Sequence, residues 1–69
     1  MKPRTEYGKQ VMHKLIDMDK DESWLVGEVQ KAMPDMYFHR TMLSRIMHDE
    51  KYSARHFKRE INRILGVNQ

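Results

Sequence analysis

The chain of 69 residues has no cysteine. Disulfides and thiolate metal sites are therefore excluded, and nothing in it calls for an oxidising compartment. Glycine (three) and proline (two) are scarce, too few to punctuate a turn-rich sheet protein. Nor does any stretch alternate apolar and polar residues as a half-buried strand would. No apolar run approaches the ~20 residues that cross a membrane. The opening MKPRTEYGKQ is basic with no apolar stretch behind it. No signal peptide is expected, and the expected location is cytoplasmic. A glycine-rich phosphate loop is also missing. His13, His39, His48 and His56 show no ligand spacing. Adjacent His48, Asp49 and Glu50 would point in different directions from a helix or turn. No metal, cofactor or small-molecule ligand is expected, and nothing specifies a catalytic triad, so the chain is not expected to be an enzyme.

What is present is helical periodicity, and the expected class is all-α, a compact bundle of four or five helices in one domain spanning 1–69. A first helix is expected from about Thr5 to Met18, with Thr5 as N-cap. Tyr7, Val11, Leu15 and Met18 form its apolar face, widened by Met12 and Ile16. A second should begin near Asp21 or Glu22, whose charge suits the helix dipole. It should bury Trp24, Leu25 and Val29, with Val26 and Ala32 beside them. Gly27 falls in its interior. Pro34 disfavours helix at Met33 and should end or kink the helix there. Met36, Tyr37 and Phe38 are available to anchor the connection. A third helix is expected at about 40–48, capped by His39 or Thr41. A fourth should run from Ala54 to Leu65, with Ser53 as N-cap and Gly66 as stop signal. Its apolar face is Phe57, Ile61, Ile64 and Leu65. The seven methionines are expected in or near the core, filling irregular gaps.

Charge is uneven. Residues 1–36 carry six basic and seven acidic side chains, whereas residues 37–69 carry seven basic and three acidic. The second half is the part suited to a polyanion. Residues 41–53, TMLSRIMHDEKYS, stand out within it. Leu43 and Ile46 would face inward, leaving Arg40, Thr41, Ser44 and Arg45 outward. Arginine can bond guanine through two donors, and Ser and Thr can reach base edges or phosphate. The plain alternative is a solvated basic face.

These residues resemble the phage repressor and Cro-like (XRE-like) helix-turn-helix family, and most closely its short members from phages and mobile elements of Gram-positive bacteria. The segments carrying the resemblance are TEYGKQVMHKLIDM, WLVGEVQKA, MLSRIMHDEK and INRILGV, in that order, over about residues 4–67. It implies a lambda-repressor-like fold in which a supporting helix at about 22–33 holds a recognition helix at about 40–48 in the major groove. The apolar underside would be Leu25, Val29, Phe38, Leu43 and Ile46. The resemblance assigns base contacts to Arg40, Thr41, Ser44 and Arg45. It assigns phosphate contacts to His39, Lys51, Tyr52, Ser53 and Arg55, with Lys58, Arg59 and Arg63 able to add others. The implied partner is double-stranded DNA, the implied role is transcriptional regulation, and a homodimer is the family's usual form. The edge at Ile64, Leu65 and Val67 would either meet a second copy or close the monomer core.

Three features depart from the family pattern. The link from 29 to 38 is about seven residues longer than in the compact motif. Val26 stands where a small residue is usual, and Asp49 stands where glycine usually follows the recognition helix. Two other readings stand beside the regulator: an excisionase-like architectural factor for recombination, and a protein-interaction module or antirepressor that has lost DNA binding.

Overall fold

Four α-helices and no strand make up residues 3–67, the part described by the structure, a computed structural model. Helix α1 is Glu6–Asp17, α2 Glu22–Ala32, α3 Arg40–His48 and α4 Arg55–Leu65. The all-α class expected from periodicity is therefore what the chain adopts.

Local chemistry accounts for most of the boundaries. Thr5 caps α1, its hydroxyl accepting from the Gly8 N–H at 3.0 Å. Asp19 ends that helix in the left-handed region (φ 58°), which Asp tolerates better than most residues. The Lys20 N–H then reaches back to the Leu15 carbonyl at 2.9 Å, as in a Schellman closure. Asp21 caps α2, accepting from the Trp24 N–H at 2.9 Å. Gly66 closes α4 at φ 72°. The start of α4 differs from expectation. Ser53 is not its cap; Ala54 is, at φ 31°, with no side-chain cap bond, and the helix begins at Arg55. The Ala54 methyl packs against the core, an apolar contact that a polar cap residue would not make.

The helices enclose one core in the cyclic order α1, α3, α2, α4, so α1 lies across the bundle from α2 and α3 from α4, while α2 and α3 pack side by side. Val11 and Leu15 of α1, Leu25 and Val29 of α2, Leu43, Ile46 and Met47 of α3, and Phe57, Ile61 and Leu65 of α4 are buried. Several expected core positions are not. Ile16 is 66% exposed and Met18 38%. Both lie toward the end of α1, where the helix passes the rim of the bundle. Ala32 is exposed. Trp24 is half-buried at the core edge, with the Lys20 ammonium 5.5 Å from its ring centre. Among the methionines, Met47 is buried, Met12, Met33 and Met42 sit at the core edge, and Met18 and Met36 are exposed. Met1 lies outside the described residues. Leu65 is buried, so it closes the monomer core and does not form an outer edge.

Besides the core residues of α1, hydrogen bonds from Thr5 and Tyr7 tie its start to the rest. The Thr5 N–H and hydroxyl donate to the Met47 carbonyl at 2.9 and 3.2 Å, beside Gly8, where α1 meets the end of α3. Tyr7 spans to α4, its hydroxyl donating to Asn62 Oδ1 at 2.7 Å. Burial pushes that hydroxyl up to about 12, so it remains a donor at ordinary pH.

Residues 33–39 join α2 to α3, and α2 stops at Ala32 without extending into them. One side chain braces this link. Gln30 Nε2 donates to the Met36 carbonyl at 2.6 Å and the Met33 carbonyl at 3.3 Å, while Gln30 Oε1 accepts from the Phe38 N–H at 2.9 Å. Met36 and Tyr37, expected as anchors, are exposed; Phe38 alone is buried, its ring centre 4.7 Å from that of Phe57. Gln30→Ala should therefore cost about 1–3 kcal/mol, because it orphans a partly buried N–H. Amide hydrogen exchange at Phe38 should speed up markedly. Unaltered exchange there would show that Gln30 does not hold the link.

Candidate nucleic-acid interface

Helix α3 divides along its length. Leu43, Ile46 and Met47 point into the core, and Arg40, Thr41, Ser44 and Arg45 are exposed. This follows from helical spacing: 43, 46 and 47 share one face, and 40, 41, 44 and 45 lie away from its centre. His39 occupies the N-cap position but makes no side-chain cap bond. Its ring lies 5.0 Å from that of Tyr37. Thr41 lies inside the helix and is not a cap.

The two arginines of this face are held differently. Arg40 turns back to the start of α2, with Nε 3.6 Å from Glu22 Oε1 and Nη1 3.4 Å from Ser23 Oγ. Arg45 reaches forward, its guanidinium carbon 4.4 Å from the centre of the Tyr52 ring. An exposed pair such as Arg40–Glu22 is worth about 0–1 kcal/mol, so it can exchange for another partner. The sequence signals no special part for Glu22 or Ser23, because they are 17 or more residues away from Arg40 along the chain.

The turn after α3 is built on Asp49. Its backbone is extended (φ −129°), so the glycine usual in the resembled family is not required here. Asp49 Oδ1 accepts from the Lys51 N–H, and its carbonyl from the Tyr52 N–H, both at 3.0 Å. An aspartate supplies the acceptor that a glycine could not. The turn places Lys51, Tyr52 and Ser53 along an open groove against α4, where Arg55, Lys58 and Arg59 also lie. Glu50 is the single acidic side chain lining it. Lys51, Ser53 and Arg55 are exposed there, while Tyr52 is half-buried against the core. Lys58 also sits 5.5 Å from the Tyr7 ring centre. Arg63 lies elsewhere: it pairs with Glu60 at 2.7 Å and lines a different groove with Met18, Trp24 and Ile64.

The candidate base-contact residues are thus gathered on one face of α3. Lys51, Tyr52, Ser53 and Arg55 share the adjoining groove, and His39 lies at the opposite end of α3. Among the described residues, no group of three His, Asp or Glu side chains could hold a metal ion, and no helix is long and apolar enough to cross a membrane. No protein-family model, curated protein or solved structure matches the chain.

Proposed function

We propose that this protein is a sequence-specific DNA-binding protein of helix-turn-helix type that lays α3 in the major groove, in the service of transcriptional regulation. The observation that supports this reading best is the continuity of two surfaces. The polar face of α3 runs through the Arg45–Tyr52 contact into a groove bearing Lys51, Arg55, Lys58 and Arg59. A reading face needs donors for base edges beside cations for phosphate, and here one turn joins them. The first turn of α4 also lacks a side-chain cap, leaving backbone N–H groups beside these cations. The resemblance in residues 4–67 points the same way, toward a regulator of a phage or mobile element.

Two copies would read two half-sites about one helical turn apart. The groove at Met18, Trp24 and Ile64, which Glu28, Lys31 and Arg63 also line, contains no α3 residue, so pairing there would leave both reading helices free.

Selection of bound sites from a random DNA pool, followed by titration at several salt concentrations, tests the reading. Lys51→Ala should weaken all sequences alike and lower the salt slope by about one. Arg45→Ala should cost about 1–3 kcal/mol on the selected site and relax one base pair. Absence of binding to selected or random DNA at low salt would sink the proposal and favour a protein-interaction module. Bent, repeated sites without promoter overlap would favour the recombination factor.

A further inference from the structure

We propose that Tyr52 is a positioning residue that aims Arg45 at a guanine, and that this pair, not Arg40, sets the sequence preference of α3. The proposal rests on the DNA-binding reading and replaces a phosphate contact for Tyr52 with a different task.

Three observations carry it. First, the ring is fixed from behind. Tyr52 packs half-buried against the core, and the turn that bears it is closed by two bonds to Asp49. Second, the ring lies under the Arg45 guanidinium, 4.4 Å from the ring centre. An arginine over an aromatic face keeps its planar fork of N–H donors directed outward along the guanidinium edge. Reading guanine needs two such donors, and stacking consumes neither. Free Arg45 would lose side-chain freedom on docking; a guanidinium already seated loses less. Third, Arg40 is in the opposite condition. Glu22 and Ser23 already face its donors, so engaging a base gives up these weak, exposed contacts, a small cost that Arg45 does not meet. Of the two cations on the face, Arg45 is seated on a ring and Arg40 is turned toward the start of α2.

The test uses the full chain and the site selected by the wild type. Arg45→Ala should erase the preference at one base pair. Tyr52→Leu should cut the preference at that same pair by about five- to tenfold, since an exposed to partly desolvated cation–π contact is of that order. Its non-specific affinity and salt slope should stay within about twofold of wild type, a split that simple loss of structure would not give. Tyr52→Phe should keep the preference, and Arg40→Ala should spare that base pair. In the unaltered protein, NMR should show Arg45 side-chain protons shifted upfield by the Tyr52 ring, a reading that needs no variant to fold.

The proposal is overturned if the Arg45 protons are unshifted, or if Tyr52→Leu leaves the preference intact. It is also overturned if Tyr52→Phe weakens all sequences alike and flattens the salt dependence, because the hydroxyl would then be meeting phosphate. Wild-type protein that binds no DNA removes this proposal together with the functional reading. Wild-type protein that selects a site while Tyr52 proves indifferent removes this proposal alone.

Discussion

Gly8→Ala should destabilise the protein by about 1–3 kcal/mol, even though alanine is the better helix former. On propensity alone the change would stabilise by about 1 kcal/mol. The opposing effect is steric. A Cβ at position 8 would meet the Met47 carbonyl oxygen and would lie 2.9 Å from its carbonyl carbon and 3.0 Å from its Cα. These are backbone atoms and cannot rotate away. The start of α1 would have to move from the end of α3, straining both Thr5 bonds to the Met47 carbonyl. Gly27→Ala is the control. It too lies within a helix, in the middle of α2 where Gly8 is in the first turn of α1, but it is exposed and nothing lies within 4 Å of the added carbon. That change should stabilise by about 0.5–1 kcal/mol. Thermal unfolding reads the contrast, since 1 kcal/mol moves the midpoint by about 4–8 °C in a domain of this size. A Gly8→Ala protein at least as stable as wild type would show that the two helices do not approach so closely.

Phe38→Ala should cost about 3–5 kcal/mol, the larger of the two effects. A chain of this length has on the order of 3–10 kcal/mol of total stability, so the variant should sit near its unfolding threshold. Phe38 is 2% exposed, stacks obliquely on Phe57, and is the last fixed point of the link before α3 begins. Removing the ring opens a cavity between α4 and the link and frees the segment that sets where α3 starts. Phe38→Leu retains most of the buried area and should cost less than about 1.5 kcal/mol. Urea unfolding of the two variants would separate them. A small loss for Phe38→Ala would mean that Gln30, not the aromatic ring, carries the link. Should the wild type bind DNA as proposed, loss of that binding in Phe38→Leu at conditions where it remains folded would tie the link directly to presentation of α3.

Much of the fold is legible in the residues because its causes are local. Thr5 and Asp21 have acceptors three residues from the donors they satisfy, and Gly66 relieves a left-handed closure that a side chain would strain. The inward positions of α3 follow from spacing alone. Ser53 misleads because it is a good cap residue one position too early. The chain spends Ala54 on a strained conformation and a core contact, and a local rule cannot see the core. Ile16 and Trp24 mislead for a related reason: apolar periodicity marks a face, but the rim of a bundle is reached before the face ends.

The candidate site divides in the same way. Which side chains of α3 face outward was readable, because a helix imposes its own period on every side chain it carries. What those side chains rest on was not. Glu22 meets Arg40, Tyr52 underlies Arg45 and Gln30 braces the link through contacts between segments that the sequence separates. The two helical glycines show the limit most plainly. Gly8 and Gly27 carry the same local signal, a residue that costs helix stability, yet one is required by a crossing backbone and the other faces open solvent. By itself the sequence determined the all-α class, the Thr5 cap of α1, the acidic start of α2, the Gly66 stop and the polar face of α3, since each depends on residues within about one turn of each other. The tertiary structure alone decided which glycine a second backbone crowds, how the link is held and which arginine of α3 rests on Glu22 and which on Tyr52, because each depends on how segments outside one helical turn come to rest.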